Sequence, residues 1–115
     1  MDLQYKELES GVRLVKLKGK LDIYGVDAVE KRFAGYAVGE RVVLLVDISE
    51  VSYIASIGIR LLLMTAKSLV GHGGRMAVLK PIPLVEEVLI LSGIGQIVPI
   101  YADLEAASAS LVSPI

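Results

Sequence analysis

The chain has no cysteine and no tryptophan, one histidine and one phenylalanine in 115 residues. Without cysteine there is no disulfide, no thiolate nucleophile and no thiolate metal site, which suits a reducing compartment. The lone His72 has no carboxylates clustered near it in sequence, as a zinc site would require; no metal and no cofactor is expected. An excess of positive charge is also missing. Twelve basic residues stand against thirteen acidic ones, for a formal net charge of −1. Counterion release on a nucleic acid has no basic patch to drive it, and few aromatic rings are available for stacking on bases. Direct nucleic-acid binding is therefore not expected. Long apolar runs are absent too: residues 42–46 and 61–64 fall far short of the roughly 20 needed to cross a bilayer. The polar start MDLQYKELES does not read as a signal peptide. A cytoplasmic protein without membrane insertion is expected.

What the sequence does have is core-forming material. Apolar residues make up 54% and charged residues 22%, enough for one folded domain over residues 1–115. Residues 2–8 and 12–18, separated by Gly11, predict a hairpin. Val26, Val29 and Phe33 at helical spacing predict a helix over 25–33. The run RVVLLVDI at 41–48 predicts a strand buried on both faces. A second helix is expected over 56–70, stopped by Gly71-His72-Gly73-Gly74. Further elements follow: a strand over 75–79, a helix over 84–91 opened by Pro83 and ended at Gly93, a strand over 97–101, and a last helix capped by Asp103. Alternating strands and helices after a hairpin imply an α/β fold, a mostly parallel mixed sheet with an antiparallel edge strand and helices packed against it.

The candidate chemistry centres on Ser56, where a strand turns into a helix. A nucleophile elbow needs glycine two residues before the serine, and that position is Ile54. A general base must also lie within hydrogen-bond reach. His72 is at the far end of the same helix, roughly 24 Å away at about 1.5 Å per residue, which disfavours a hydrolase. The GHGG segment ends a helix, whereas phosphate loops open one. Asp22 and Asp47 are expected at one rim of the sheet near Ser56, either as a paired acid and base or as turn and capping carboxylates.

Serine is among the best N-cap residues, so Ser56 is expected to cap the second helix. A hydroxyl at a helix N-terminus is also a favourable site for phosphate, because the dipole and free N–H groups stabilise the added charge. On that helix Ile59, Leu62, Leu63, Ala66, Leu69 and Val70 share one face, assigned to the core. Ile57, Leu61, Met64 and Ser68 lie opposite, flanked by Arg60 and Lys67. This second stripe is either covered by the last helix or a neighbouring loop, or it is a partner-docking surface serving a homodimer or a heterocomplex.

The order of elements and the segment VDISEVSYIASIGIRLLL resemble the STAS domain of bacterial anti-sigma factor antagonists over nearly the whole chain. Gly19-Lys20-Leu21-Asp22 is similar to the family's Gly-x-Leu-Asp, and Val46-Asp47-Ile48-Ser49 to its Leu-Asp-Leu-Ser. Ala55-Ser56-Ile57-Gly58-Ile59 aligns with Asp-Ser-Ser-Gly-Leu. The resemblance implies a non-enzymatic binding module whose partner is an anti-sigma factor that is also a serine kinase. Phosphorylation of the antagonist at the position of Ser56 would release that partner and with it control a sigma factor. Gly58 matches the helix-opening glycine and Asp22 the acidic residue near the serine. Ala55 stands where the motif has aspartate, Ile57 where it has a second hydroxyl residue, and Arg60 where a small residue is common. Asp22, Ser56, Ile57, Gly58, Arg60, Leu61 and Met64 are the expected partner-binding residues. A constitutively docked STAS subunit of a stressosome-like or transporter-regulatory complex is the alternative.

Overall fold

The computed structural model describes residues 1–8 and 10–112; residues 9 and 113–115 of the expected domain lie outside the described residues. Asp2–Glu7 (β1) and Arg13–Leu21 (β2) alternate in polarity, placing Leu3, Val15, Leu17 and Leu21 in the core and lysines on the other face. The two strands form the expected antiparallel hairpin, from Asp2 opposite Lys18 to Glu7 opposite Arg13. Helix Ile23–Tyr36 (α1) starts earlier and ends later than the 25–33 expected. Asp22 caps it, its Oδ1 accepting the Gly25 N–H at 2.9 Å.

Strand Val43–Ile54 (β3) differs most from expectation, running on through the 49–54 segment that reads as a turn. The strand continues because β2 still pairs with it, in a register that slips twice, between Lys16 and Lys18 and between Gly19 and Lys20. At each slip β3 carries one residue more than β2, a bulge that breaks the alternation of side chains.

Helix Ser56–Gly71 (α2) matches its expected span closely, and the GHGG stop operates as read. Gly73 takes φ +76, and the Gly74 N–H turns back to the Leu69 carbonyl at 2.7 Å. The core face is rotated from the one expected. Gly58, Leu62, Thr65, Ala66 and Leu69 are buried, Ile59 and Leu63 are half-buried, and Val70 is 56% exposed. Strand Arg75–Leu79 (β4) and helix Pro83–Ser92 (α3) follow as expected, α3 ending at left-handed Gly93. A 3₁₀ turn, Ile94–Gln96, and the loop after it displace the start of the last strand, leaving only Ile100–Tyr101 (β5). Asp103 caps Leu104–Val112 (α4), accepting the Ala106 N–H at 2.7 Å.

The sheet order is β1-β2-β3-β4-β5, antiparallel at β1 and parallel elsewhere, as the sequence implies. Helices α1, α2 and α3 cover one face through Phe33, Leu62 and Leu89, packed on Val15, Leu17, Val46 and Ile48. Helix α4 covers part of the other face, Ala107 joining Leu45, Ala77 and Leu79. The rest of that face is charged. There Lys16 Nζ meets Glu50 Oε2 at 2.8 Å. That hydrogen bond raises the Lys16 pKa and lowers that of Glu50.

Candidate functional site

The register sets Leu21 beside Ile54, and the Ala55 N–H donates to the Leu21 carbonyl at 3.0 Å. Neighbouring strands lie about 4.8 Å apart. Since β2 and β3 each turn directly into a helix, α1 and α2 begin side by side at the same rim. Both bring a glycine as their third residue against the end of β2. A Cβ on Gly58 would meet the Leu21 carbonyl oxygen at 2.5 Å, and one on Gly25 would be driven into the Lys20 carbonyl. Gly58 thus belongs to the site as the residue that seats α2, buried beneath the surface a partner would touch.

Ser56 is exposed at the first position of α2, and the N-cap is Ala55, in extended backbone without a side-chain cap bond. The expectation that Ser56 caps the helix is therefore corrected. The strand pairing holds Ala55 in the extended conformation of the cap and places Ser56 one residue inside. Among the described residues, no protein acceptor takes the N–H of Ser56 or Ile57.

Asp22 stays at this rim, occupied by its cap bond to Gly25. Asp47 does not. It lies seven residues back along β3, roughly 20 Å at about 3.3 Å per residue, beside the end of β4 at Leu79. Its Oδ1 accepts the Ser49 N–H at 2.9 Å. The expected pairing of the two carboxylates near Ser56 fails because β3 continues beyond Asp47. His72 sits at the opposite end of α2, bonded through Nδ1 to the Ser68 carbonyl. Among the described residues no group of three metal-ligating side chains forms, and no helix is long and apolar enough to cross a membrane.

The second stripe of α2 is covered neither by α4 nor by a loop. Val26, Glu30, Ile57, Arg60, Leu61 and Met64 line an open groove of about 310 Å³ between α1 and α2. Leu61 is half-buried there against the core, while Met64 is 55% exposed. Three exposed apolar residues complete the rim: Ile23 at 61%, Tyr24 at 82% and Tyr53. Sequence reasoning missed them. The available signal was Leu21-Asp22-Ile23-Tyr24-Gly25, which has a capping aspartate and, three residues on, a glycine, the same strand-to-helix layout as Ile54-Ala55-Ser56-Ile57-Gly58.

The arrangement offers a hydroxyl, free helix N–H donors and an apolar surround, all suited to binding. A model of the STAS domain matches residues 5–107. The chain belongs to the STAS domain family. BtrV of Bordetella bronchiseptica, classed as an anti-sigma factor antagonist, is 33% identical over 101 residues, spanning 87% of this chain and 86% of its own. The solved STAS domain protein of Planctomyces limnophilus superposes with a TM-score of 0.86 at 21% identity, over 98% of this chain and all of that one. Unphosphorylated SpoIIAA of Bacillus superposes at 0.79 with 23% identity, over 99% of each chain. These two likenesses confirm the fold of this STAS domain, the five-stranded sheet with its antiparallel edge.

Proposed function

We propose that this STAS domain is an anti-sigma factor antagonist, a binding module that captures an anti-sigma factor serine kinase on the rim around Ser56 and is switched off by phosphorylation there. The carrying observation is the exposed Ser56 at the start of α2, without a side-chain cap, followed by exposed Ile57 and set beside the start of α1 with its exposed Ile23 and Tyr24. Both halves of a switch follow from that setting. A phosphate on Ser56 gains from the α2 dipole and from the unused N–H groups of its first turn, so the fold tolerates it. A partner that covers this apolar surface would have to strip water from the new charge, so binding fails. The relative BtrV, named as an antagonist, supports the same reading. In it Asp22 seats α1, Gly58 seats α2, and Ile57, Arg60, Leu61 and Met64 form the docking surface with Ser56.

Incubation with the cognate kinase and ATP should add one phosphate, mapped to Ser56, and Ser56→Ala should abolish it. Affinity for the partner should fall by on the order of a hundredfold on phosphorylation, about 2.7 kcal/mol. Phosphate on Ser52, Thr65 or Ser68 would overturn the residue assignment. Ala55 and Ile57 depart from the motif and favour one competing reading, a STAS subunit docked constitutively in a larger complex. Partner binding that is indifferent to phosphate on Ser56 would establish that reading in place of the switch.

A further inference from the structure

The two edges of the sheet are treated differently. On one side the sheet ends in β5, only two residues long. On the other it ends in β1, six residues paired without interruption to β2, with no proline and no bulge. A long regular edge offers a row of unpaired N–H and C=O groups, and proteins ordinarily shorten, twist or cover such edges. We propose that β1 is an interface with a second copy of this chain, the two β1 strands pairing antiparallel about a two-fold axis at Gln4. The free side of β1 points away from β3 and α2, so this surface is independent of the Ser56 reading.

The choice of a second copy rests on self-complementarity. With Gln4 opposite Gln4 of the other copy, Asp2 faces Lys6 and Leu3 faces Tyr5, and the two-fold repeats each pair. Asp2, Gln4 and Lys6 are all exposed, on the charged face of the sheet. Lys16 on that face is already paired with Glu50. Among the described residues no acid of its own chain pairs with Lys6, whose groove neighbours are Gln4, Tyr5, Leu14 and Lys16. Asp2 of a second copy would supply the missing acid. On the helix side Tyr5 is prepositioned, its ring stacked on Tyr36 with centroids 4.0 Å apart. Opposite-charge and aromatic–aliphatic cross-strand pairs are the favourable ones.

The backbone is compatible with that register. Arg32 Nη2 donates to the Leu3 carbonyl at 2.9 Å from α1. This carbonyl therefore points off the free edge, and along an antiparallel strand the N–H and C=O of one residue share a side. Leu3 and Tyr5 then present their polar groups outward, and opposite one another across the two-fold they form a hydrogen-bonded pair. A carbonyl oxygen has two lone pairs, so the Arg32 contact leaves Leu3 able to accept a second bond.

The test is a charge exchange read by sedimentation equilibrium on the full chain. Wild type should be a dimer at tens to hundreds of micromolar, loosened by salt as exposed ion pairs are. Lys6→Asp puts carboxylates opposite each other, Asp2→Lys puts lysines opposite each other, and each variant alone should dissociate at least tenfold more readily. Mixed together they should form a heterodimer, because every pair is again opposite in sign. Unchanged thermal melts of both variants would show that the exposed substitutions leave the fold intact. A wild-type monomer at several hundred micromolar, single variants that dimerise as wild type does, or a mixture that stays monomeric would each overturn the proposal.

Discussion

Helices α1 and α2 leave adjacent strands at the same level of the sheet, each with a glycine as its third residue pressed against the end of β2. They differ in the residue that precedes them. At α1, Asp22 turns its carboxylate onto the Gly25 N–H. At α2 the equivalent residue is Ala55, which offers no side-chain acceptor. A missing cap costs about 0.5–2 kcal/mol, a loss that α2 absorbs through its well-buried face. What remains is a start where, among the described residues, the Ser56 and Ile57 N–H groups have no protein acceptor and no carboxylate faces the dipole, beside an exposed serine. Both starts leave their first two N–H groups without a protein acceptor among the described residues. The third is met by a charged carboxylate at α1 and by the Ala55 backbone carbonyl at α2, so only α1 has a negative side chain set against its dipole.

The largest way to break the pair is to remove the shared feature. Gly25→Ala drives a methyl group into the Lys20 carbonyl and should lose about 3 kcal/mol or more. Gly58→Ala, which meets the Leu21 carbonyl and side chain, should lose about 2 kcal/mol, since overpacking ordinarily costs 1–3. Urea unfolding measures both. Near-neutral alanines at both positions would mean that the helices are not seated by these contacts. Exchanging the caps comes next. Asp22→Ala should cost about 1 kcal/mol, and Ala55→Asp should return about 0.5–1 by giving the free Ile57 N–H an acceptor. The new carboxylate beside Ser56 should also weaken any stabilisation that phosphate brings there, by like-charge repulsion. Thermal melts of Ala55→Asp with and without phosphate on Ser56 read this directly. The smallest effect is expected at the serine itself. Because Ser56 lies inside the helix and makes no cap bond, Ser56→Ala should change stability by less than about 0.5 kcal/mol. A loss of about 1 kcal/mol in the same unfolding experiment would restore it as the cap.

The sequence reading reached the topology because hydrophobic periodicity and turn residues agree along most of the chain. Gly11, Pro83, Gly93 and Asp103 sit where their conformational preferences place them, and the GHGG stop closes α2 as read. It failed where tertiary pairing overrides local preference. Residues 49–54 look like a turn because Ser49, Glu50, Ser52 and Tyr53 disrupt the apolar run, yet β2 holds them in the sheet. Serine propensity argued for a cap at residue 56, while the bond from Ala55 to Leu21 decided the cap one residue earlier. At the site, Ser56, Gly58 and Asp22 could be read from motif and position. Ile23, Tyr24 and Tyr53 leave no periodic trace, being at a helix start or on a bulged strand, and only the shared layout of residues 21–25 and 54–58 pointed to the first two. Asp47 was misplaced with the strand end.

The two bulges in β3 also govern how its length can vary. Leu44, Val46 and Ile48 face the helix-covered core at even positions, Val51 faces it at an odd one, and Ile54 at an even one again. Each extra residue is taken up in a bulge, so β3 stays in phase with β2 as far as the pair Leu21 and Ile54. Removing one extra residue at a bulge would restore regular pairing there and leave Ile54 facing the core. A residue lost or gained where no bulge forms would turn the side chains after it to the other face. The stretch leading to Ser56 therefore varies in length at its bulges, while pairing with β2 keeps the serine at the same rim.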